Sequence, residues 1–244
     1  MNRREMISGA TLGAIGATLA SSYSAATRAA SIPKAGPLQP PAKGKIPVAV
    51  LVSENAQVID FAGPWEVFQG CHVHSRGSTM EETMPFELFT VAPTANEFRA
   101  TGGMRIVPNY TFADAPSARV VVVPAQGGLG PKREEAKEWL VSASKKADVT
   151  MSVCTGAFIL GYAGLLDGLA ATTYFRRFDA FAETFPQVKL LRGVRFVENE
   201  KISTSAGLSA GIDLSIRVIE RYFGRDVAAT TAADLEYEGQ GWKV

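Results

Sequence analysis

The sequence predicts a single α/β domain in which a mostly parallel sheet is covered by helices on both faces. Three observations carry that prediction. Short apolar runs, continuous rather than alternating, recur along the chain and suit strands buried on both sides. Segments with apolar residues at helical spacing fall between them. At Val149–Leu160 a strand-type run gives way to a helical pattern within two residues, which makes a tight strand-to-helix elbow with Cys154 at its tip.

The first apolar run, Ile46 to Ser53, reads as a strand, and a helix is expected from Gly63 to Gln69 with Pro64 in its first turn, where a missing N–H is harmless. Phe86 to Ala92 and Arg119 to Pro124 are further strands, Lys132 to Lys146 is a charged amphipathic helix, and Asp148 to Val153 is the strand that feeds the elbow. After Leu166-Asp167-Gly168 the pattern predicts a short Thr-rich strand and a helix around Arg176 to Glu183. Two short strands between Val194 and Thr204 and a helix from Gly207 to Tyr222 follow.

Ahead of this domain, Arg3-Arg4 precede a mildly apolar, Gly/Ala-rich stretch from Ile7 to Ala20, with small residues through Ala29-Ala30. Residues 1–30 are expected to be a twin-arginine export signal, which predicts a periplasmic location; a disordered cytoplasmic extension is the alternative. The apolar stretch is about half the length a membrane span needs. Arg3, Arg4 and Arg28 against Glu5 give the leader +2, so of the formal net charge of +1 the rest of the chain carries about −1. Residues 31–45, rich in proline and glycine, read as a flexible linker, and residues 46–244 as the folded domain.

Composition narrows the function classes. With 46% hydrophobic residues a sizeable core is available, and the near-zero net charge offers no basic face, so nucleic acid is not an expected partner. Beyond the leader no stretch is long and apolar enough to cross a membrane. Two cysteines and two histidines make neither a disulfide framework nor a convincing metal site, and no metal or other cofactor is expected. The expected partner is a small-molecule substrate.

Cys154 is the first candidate for chemistry. At the N-terminus of a helix, unpaired N–H groups and the helix dipole favour a thiolate nucleophile; the alternative is that Cys154 is a small buried hydrophobe, as most free cysteines are. Asp60 falls in Val58-Ile59-Asp60-Phe61-Ala62-Gly63-Pro64, at the first strand-to-helix turn, and ligands of parallel sheets bind beyond such strand ends. It reads as an active-site carboxylate, as a helix N-cap, or as both. Gly127 and Gly128 follow the buried run Val120–Val123 and allow backbone N–H groups to approach a substrate as an oxyanion-type hole, unless the loop is a plain turn. Thr155 occupies the position where a cysteine–histidine hydrolase would carry its imidazole, which disfavours amide hydrolysis. His72 and His74 have no motif around them and read as surface or interface residues.

Taken together these segments resemble the ThiJ/PfpI superfamily, whose fold is that of class I glutamine amidotransferases, over nearly all of residues 46 to 224. The carrying motifs are Asp60-x-x-Gly63-Pro64-x-Glu66-Val67-Phe68, the Gly127-Gly128 loop, Ser152-Val153-Cys154-Thr155-Gly156-Ala157-Phe158, Ala163-Gly164-Leu165-Leu166-Asp167-Gly168, Ala171-Thr172-Thr173, and Thr204-Ser205-Ala206-Gly207 through Ala210-Gly211-Ile212-Asp213. The resemblance implies a flavodoxin-like three-layer sandwich. It is strongest to isonitrile hydratase and to the amidase-like domain of AraC-type regulators. It implies Cys154 as nucleophile, Asp60 as the acid/base beside it and Thr155 as the adjoining hydroxyl residue. The implied activity is a cysteine-dependent hydratase or lyase of a small carbon–nitrogen substrate that needs no cofactor. A ligand- or redox-sensing module and a deglycase- or chaperone-like stress protein are the other functions found on this fold. The resemblance also implies a homodimer paired through the first helix, which carries Trp65, Phe68 and Cys71, unless these residues pack on the sheet. Three departures bear on the transfer. Tyr174 stands where close relatives carry histidine in the pocket, Ala125-Gln126 separates Pro124 from the glycines, and an export signal is expected here. About twenty residues follow Tyr222, too few for the helix-turn-helix pair of a regulator.

Overall fold

The computed structural model describes residues 33–127 and 133–243, so the leader expected over residues 1–30 and Gly128 of the glycine loop lie outside the described residues. In chain order the first half runs β1 (Ile46–Leu51), α1 (Val58–Gln69), α2 (Met80–Thr83), β2 (Phe86–Ala92), β3 (Phe98–Arg99), β4 (Arg105–Ile106), β5 (Tyr110–Thr111) and β6 (Val120–Val123). The second half runs α3 (Arg133–Lys146), β7 (Val149–Ser152), α4 (Gly156–Tyr162), β8 (Ala170–Ala171), α5 (Phe178–Thr184), β9 (Lys189–Leu190), β10 (Phe196–Glu198), β11 (Ile202–Ser205), α6 (Ala210–Phe223) and α7 (Arg225–Asp234).

The main sheet has the order β10-β11-β7-β6-β1-β2-β5. Every neighbouring pair in it is parallel except β10 with β11. Alternate residues of β1 and β6 feed two separate cores. Val48, Val50, Val120, Val122 and Met151 pack with Phe61 and Phe68 of α1, Leu214 and Ile219 of α6 and Ala228 of α7. Ala49, Leu51, Val121 and Val123 pack with Leu140 of α3, Leu160 of α4 and Phe181 of α5. The result is the flavodoxin-like three-layer sandwich, and burial on both faces accounts for the uninterrupted apolar runs of β1 and β6, whereas β7 and β11 bury polar side chains as well, among them Thr150, Ser152, Ser203 and Thr204. Full burial of each β6 valine contributes roughly 1.5–3 kcal/mol.

Two segments differ from expectation. Helix α1 starts at Val58, not Gly63, and Pro64 stands inside it. The cost of the missing N–H is offset by close packing: a Cβ on Gly63 would lie 3.0 Å from Ile212 Cγ1, and one on Gly211 would lie 3.5 Å from Pro64 Cγ. Small residues there let α1 and α6 approach each other. The second is residues 31–45, for which a flexible linker is expected. From Ala35 to Gly44 the chain is instead strapped to the domain. Leu38 N–H donates to the Arg221 carbonyl (2.6 Å), and the guanidinium groups of Arg217, Arg221, Arg119 and Arg76 donate to the carbonyls of Ala35, Gly36, Gln39 and Pro41 at 2.7–3.2 Å. An extended proline-containing segment has carbonyls with no secondary-structure partner, and arginines far away in sequence supply the donors.

Phe68 and Cys71 are buried in the core of the single chain, Phe68 against Phe86 at 4.9 Å between ring centroids. They therefore pack on the sheet and are not available to a dimer surface.

Candidate active site

The sheet delivers three strand ends to one place, at the point where β1 is flanked by β2 on one side and β6 on the other, the position at which α/β sheets open a crevice. Asp60 follows β1, Gly127 follows β6 and Cys154 follows β7.

The elbow is a real backbone constraint. Val153 N–H bonds to the Val123 carbonyl (3.0 Å), Cys154 then takes the left-handed conformation at φ 58°, and its own N–H bonds to the Ala206 carbonyl (3.1 Å). Helix α4 starts two residues later at Gly156, where any Cβ would collide with the Val123 carbonyl oxygen. Left-handed non-glycine residues cost of order 1–3 kcal/mol and gather at functional sites. The Thr173 hydroxyl donates to the Cys154 carbonyl (2.9 Å) and steadies the turn from the opposite side.

Asp60 lies in the first turn of α1, fully buried. The helix N-cap is Gln57, which makes no side-chain cap, so the capping role considered for Asp60 does not apply. Its Oδ2 accepts instead from Ala125 N–H (3.2 Å), while the Cys154 thiol and the N–H of Leu208 face the same carboxyl group. Oδ1 has no hydrogen bond of full geometry and is free to take a proton. Burial raises the Asp60 carboxyl from 3.8 to about 6, outweighing the Ala125 N–H, the thiol and the Leu208 N–H, each of which lowers it.

The thiol responds to the same surroundings. Burial first, then the negative charge of Asp60, pushes Cys154 up to about 11 against the lowering effect of the Thr155 and Leu208 N–H groups. The thiolate expected from the helix N-terminus is therefore not the resting state. A helix of seven residues offers a weak field, and desolvation beside a carboxylate overrides it. At neutral pH the proton rests on sulfur, with the Asp60 carboxylate as the base beside it.

Gly127 does not serve as an oxyanion donor, because its N–H is used by the Glu54 carbonyl (3.0 Å). A Cβ there would press on Asn55 Cβ and the Glu54 carbonyl oxygen at 3.0–3.1 Å, so its glycine answers to chain packing. The backbone donors that do face the sulfur are Thr155 N–H and Leu208 N–H. Leu208, itself left-handed at φ 57°, is a site residue that no pattern in the sequence points to. The inserted Ala125-Gln126 is also part of the site: Ala125 holds Asp60, and the Gln126 amide is fixed by Ser53 Oγ at 2.6 Å.

Cys154 opens on a cavity of about 730 Å³ that Thr155, Gln126, Gly127 and Tyr174 also line. Its wall is made of Phe158, Ile159 and Tyr162, and exposed charged residues stand at its mouth. Tyr174 rests on Gly207, where a Cβ would overlap the ring, and meets Phe175 edge-on at 5.0 Å. Asp60 is buried beside the thiol and is not among the residues that line the cavity. His72 pairs with the Thr83 hydroxyl (3.0 Å) and His74 is exposed; neither lines the cavity. Among the described residues no group of three or more His, Cys, Asp or Glu side chains is gathered as a metal site.

Comparison with known proteins follows the same lines. A family model described as the DJ-1/PfpI family matches residues 47–221. Isonitrile hydratase of Pseudomonas putida is 28% identical over 193 residues, 78% of each chain. The HTH-type transcriptional regulator GbdR of Pseudomonas aeruginosa is 28% identical over 152 residues, which is 61% of this chain and 41% of the regulator. A ThiJ/PfpI family protein from Pseudomonas syringae superposes with a TM-score of 0.68 at 26% identity, covering 87% of this chain and 84% of that one.

Proposed function

The chain belongs to the DJ-1/PfpI family, and on that premise we propose that it is a cysteine-dependent hydratase that converts a small isonitrile to an N-substituted formamide. The observation that carries this reading is the pairing of a buried, unneutralised carboxyl with the Cys154 thiol at the edge of a small-molecule cavity, with no imidazole beside it. Isonitrile hydration needs one nucleophile and one group that moves a proton twice, and the pair supplies both. Asp60 takes the thiol proton as sulfur adds to the isonitrile carbon, then delivers that proton to the same carbon, leaving a thioimidate. Water adds to the carbon; one of its protons goes to nitrogen, and the other returns through Asp60 to sulfur as the C–S bond breaks and the formamide leaves. A carboxyl group at about 6 is well placed for such give-and-take near neutral pH. Thr155 and Leu208 N–H groups stabilise the charge on sulfur while it lasts.

The same proposal includes export through the twin-arginine leader to the periplasm and action as a homodimer. It is tested by formamide production from a panel of isonitriles with the chain and with Cys154→Ala. Turnover that depends on Cys154 supports it, and no turnover on any isonitrile sinks it. A second reading, a ligand-sensing module, has one specific observation in its favour: the regulator GbdR matches over 152 residues. On that reading Cys154→Ala still binds the ligand.

A further inference from the structure

Among the described residues, the mouth of the Cys154 cavity carries three cations, Arg133, Lys137 and Arg177, against one carboxylate, Glu134. Among the described residues none of the three cations is in an ion pair, while Arg105, Arg119, Arg192, Arg195 and Arg217 are each paired with a carboxylate. Five arginines elsewhere on the domain are thus neutralised by carboxylates, and among the described residues the cations at the cavity are not. The two guanidinium groups are nevertheless held in place. Arg133 lies over the ring of Tyr162 at 5.4 Å and Arg177 over the ring of Phe158 at 5.7 Å, and both rings line the cavity. A guanidinium stacked on an aromatic face keeps its N–H edge free, which suits a planar two-oxygen anion.

We infer that the cavity takes a substrate with a carboxylate, or a comparable anion, at the end remote from the reacting carbon. Arg133, Lys137 and Arg177 receive the anion, and an apolar body lies between, against Phe158 and Tyr162. The inference rests on the reading above for the reacting group alone; the anion site follows from the cavity whichever electrophile Cys154 meets. The arrangement divides the work. Asp60 repels negative charge at the sulfur, so the anion has to sit at the mouth, and the buried end admits a neutral head. This fixes the direction in which the substrate enters.

Alkylation of Cys154 tests the anion site without requiring turnover. The probes are iodoacetanilide and its 4-carboxy derivative, which places a carboxylate across a phenyl ring from the reacting carbon. Peptide mapping separates Cys154 from Cys71, and 2-mercaptoethanol gives the intrinsic ratio of the two rates. The ratio of carboxy to neutral probe is expected to exceed the 2-mercaptoethanol ratio by about tenfold at low salt, to fall towards it in high salt, and to collapse in Lys137→Met/Arg177→Met. Glu134→Gln, which removes the one carboxylate at the mouth among the described residues, raises it further, so the test survives poor folding of the double variant. A ratio equal to that of 2-mercaptoethanol, or one that Glu134→Gln and the double variant leave unchanged, overturns the inference. Turnover of 4-isocyanobenzoate against 4-tolyl isonitrile then separates the two proposals. Carboxylate selectivity in alkylation with turnover of neither isonitrile nor of any other on the panel supports the anion site and overturns the hydratase reading, whereas equal KM values for the two isonitriles overturn the anion site and leave the hydratase standing.

Discussion

Burial pushes the Cys71 thiol up to about 12 and the Cys154 thiol up to about 11. Cys71 follows the C-terminal end of α1, its N–H on the Phe68 carbonyl and the Thr231 hydroxyl beside its sulfur. Cys154 meets the N-terminal turn of the same helix, where Asp60 faces its sulfur, and it opens on the cavity. Proton affinity therefore does not tell the two thiols apart; their surroundings do. On the proposed reading, what singles out Cys154 is a carboxylate within reach, backbone N–H groups aimed at the sulfur, and a cavity in front of it.

The sharpest test of that contrast is to remove each sulfur in turn. Cys154→Ala is expected to abolish isonitrile turnover, a loss of at least about 10³-fold. Cys71→Ala is expected to leave kcat/KM within about twofold and to cost roughly 1–2 kcal/mol of stability in urea unfolding, through lost packing alone. Equal loss of turnover in both would break the comparison.

Asp60→Asn comes next. It is expected to lower kcat by about 10²–10⁴, the usual worth of a positioned acid/base. At the same time the thiol, freed of the carboxylate charge, titrates below the value of about 11 it has beside Asp60, as followed by thiolate absorbance. A slower enzyme with a more acidic thiol is the signature of a lost base; a purely structural Asp60 would not move the two in opposite senses. Cys71 keeps its titration unchanged.

pH separates the regions again. Turnover is expected to climb with a midpoint of about 6 as Asp60 loses its proton and becomes a base. Stability moves the other way. The folded carboxyl holds its proton up to about 6 and the ordinary one only to 3.8, so the native state binds more protons in between. The stability this confers is fully present below pH 3.8 and is lost as pH rises through 6, by about 3 kcal/mol in all. Urea midpoints measured across this window in the chain and in Asp60→Asn check the sign, since the variant lacks the fall. The Cys71 region titrates far above it.

How far the sequence reached follows the same division. Asp60 and Cys154 were legible because strand ends in a parallel sheet share one edge, and because a strand pattern that turns helical within two residues leaves little choice of backbone. The family motifs pointed the same way. The resting thiol was not legible, since it depends on the carboxylate that folding buries beside it. Leu208 was hidden because its left-handed backbone is set by tertiary contacts, with nothing in its side chain to announce it. Pro64 misled the start of α1, as proline inside a helix reads as its beginning unless the packing partner, Gly211, is known. The strap from Ala35 to Gly44 read as a loose linker because the arginines that hold it are distant in sequence.

The smallest expected effect lies at Thr155, and it refines what the N-terminal turn contributes. The Thr155 side chain makes no cap on α4, whereas its N–H is one of the two backbone donors facing the sulfur. Thr155→Val keeps the N–H and the branched shape and deletes the hydroxyl. If the backbone carries the effect, kcat falls by no more than about threefold and the thiol stays near 11. A fall beyond about 30-fold, with the thiol unmoved, would mean that the hydroxyl itself orients water on the thioimidate. The site would then depend on a side-chain hydroxyl just as Cys71 leans on Thr231, and the contrast between the two cysteines would narrow to Asp60 alone.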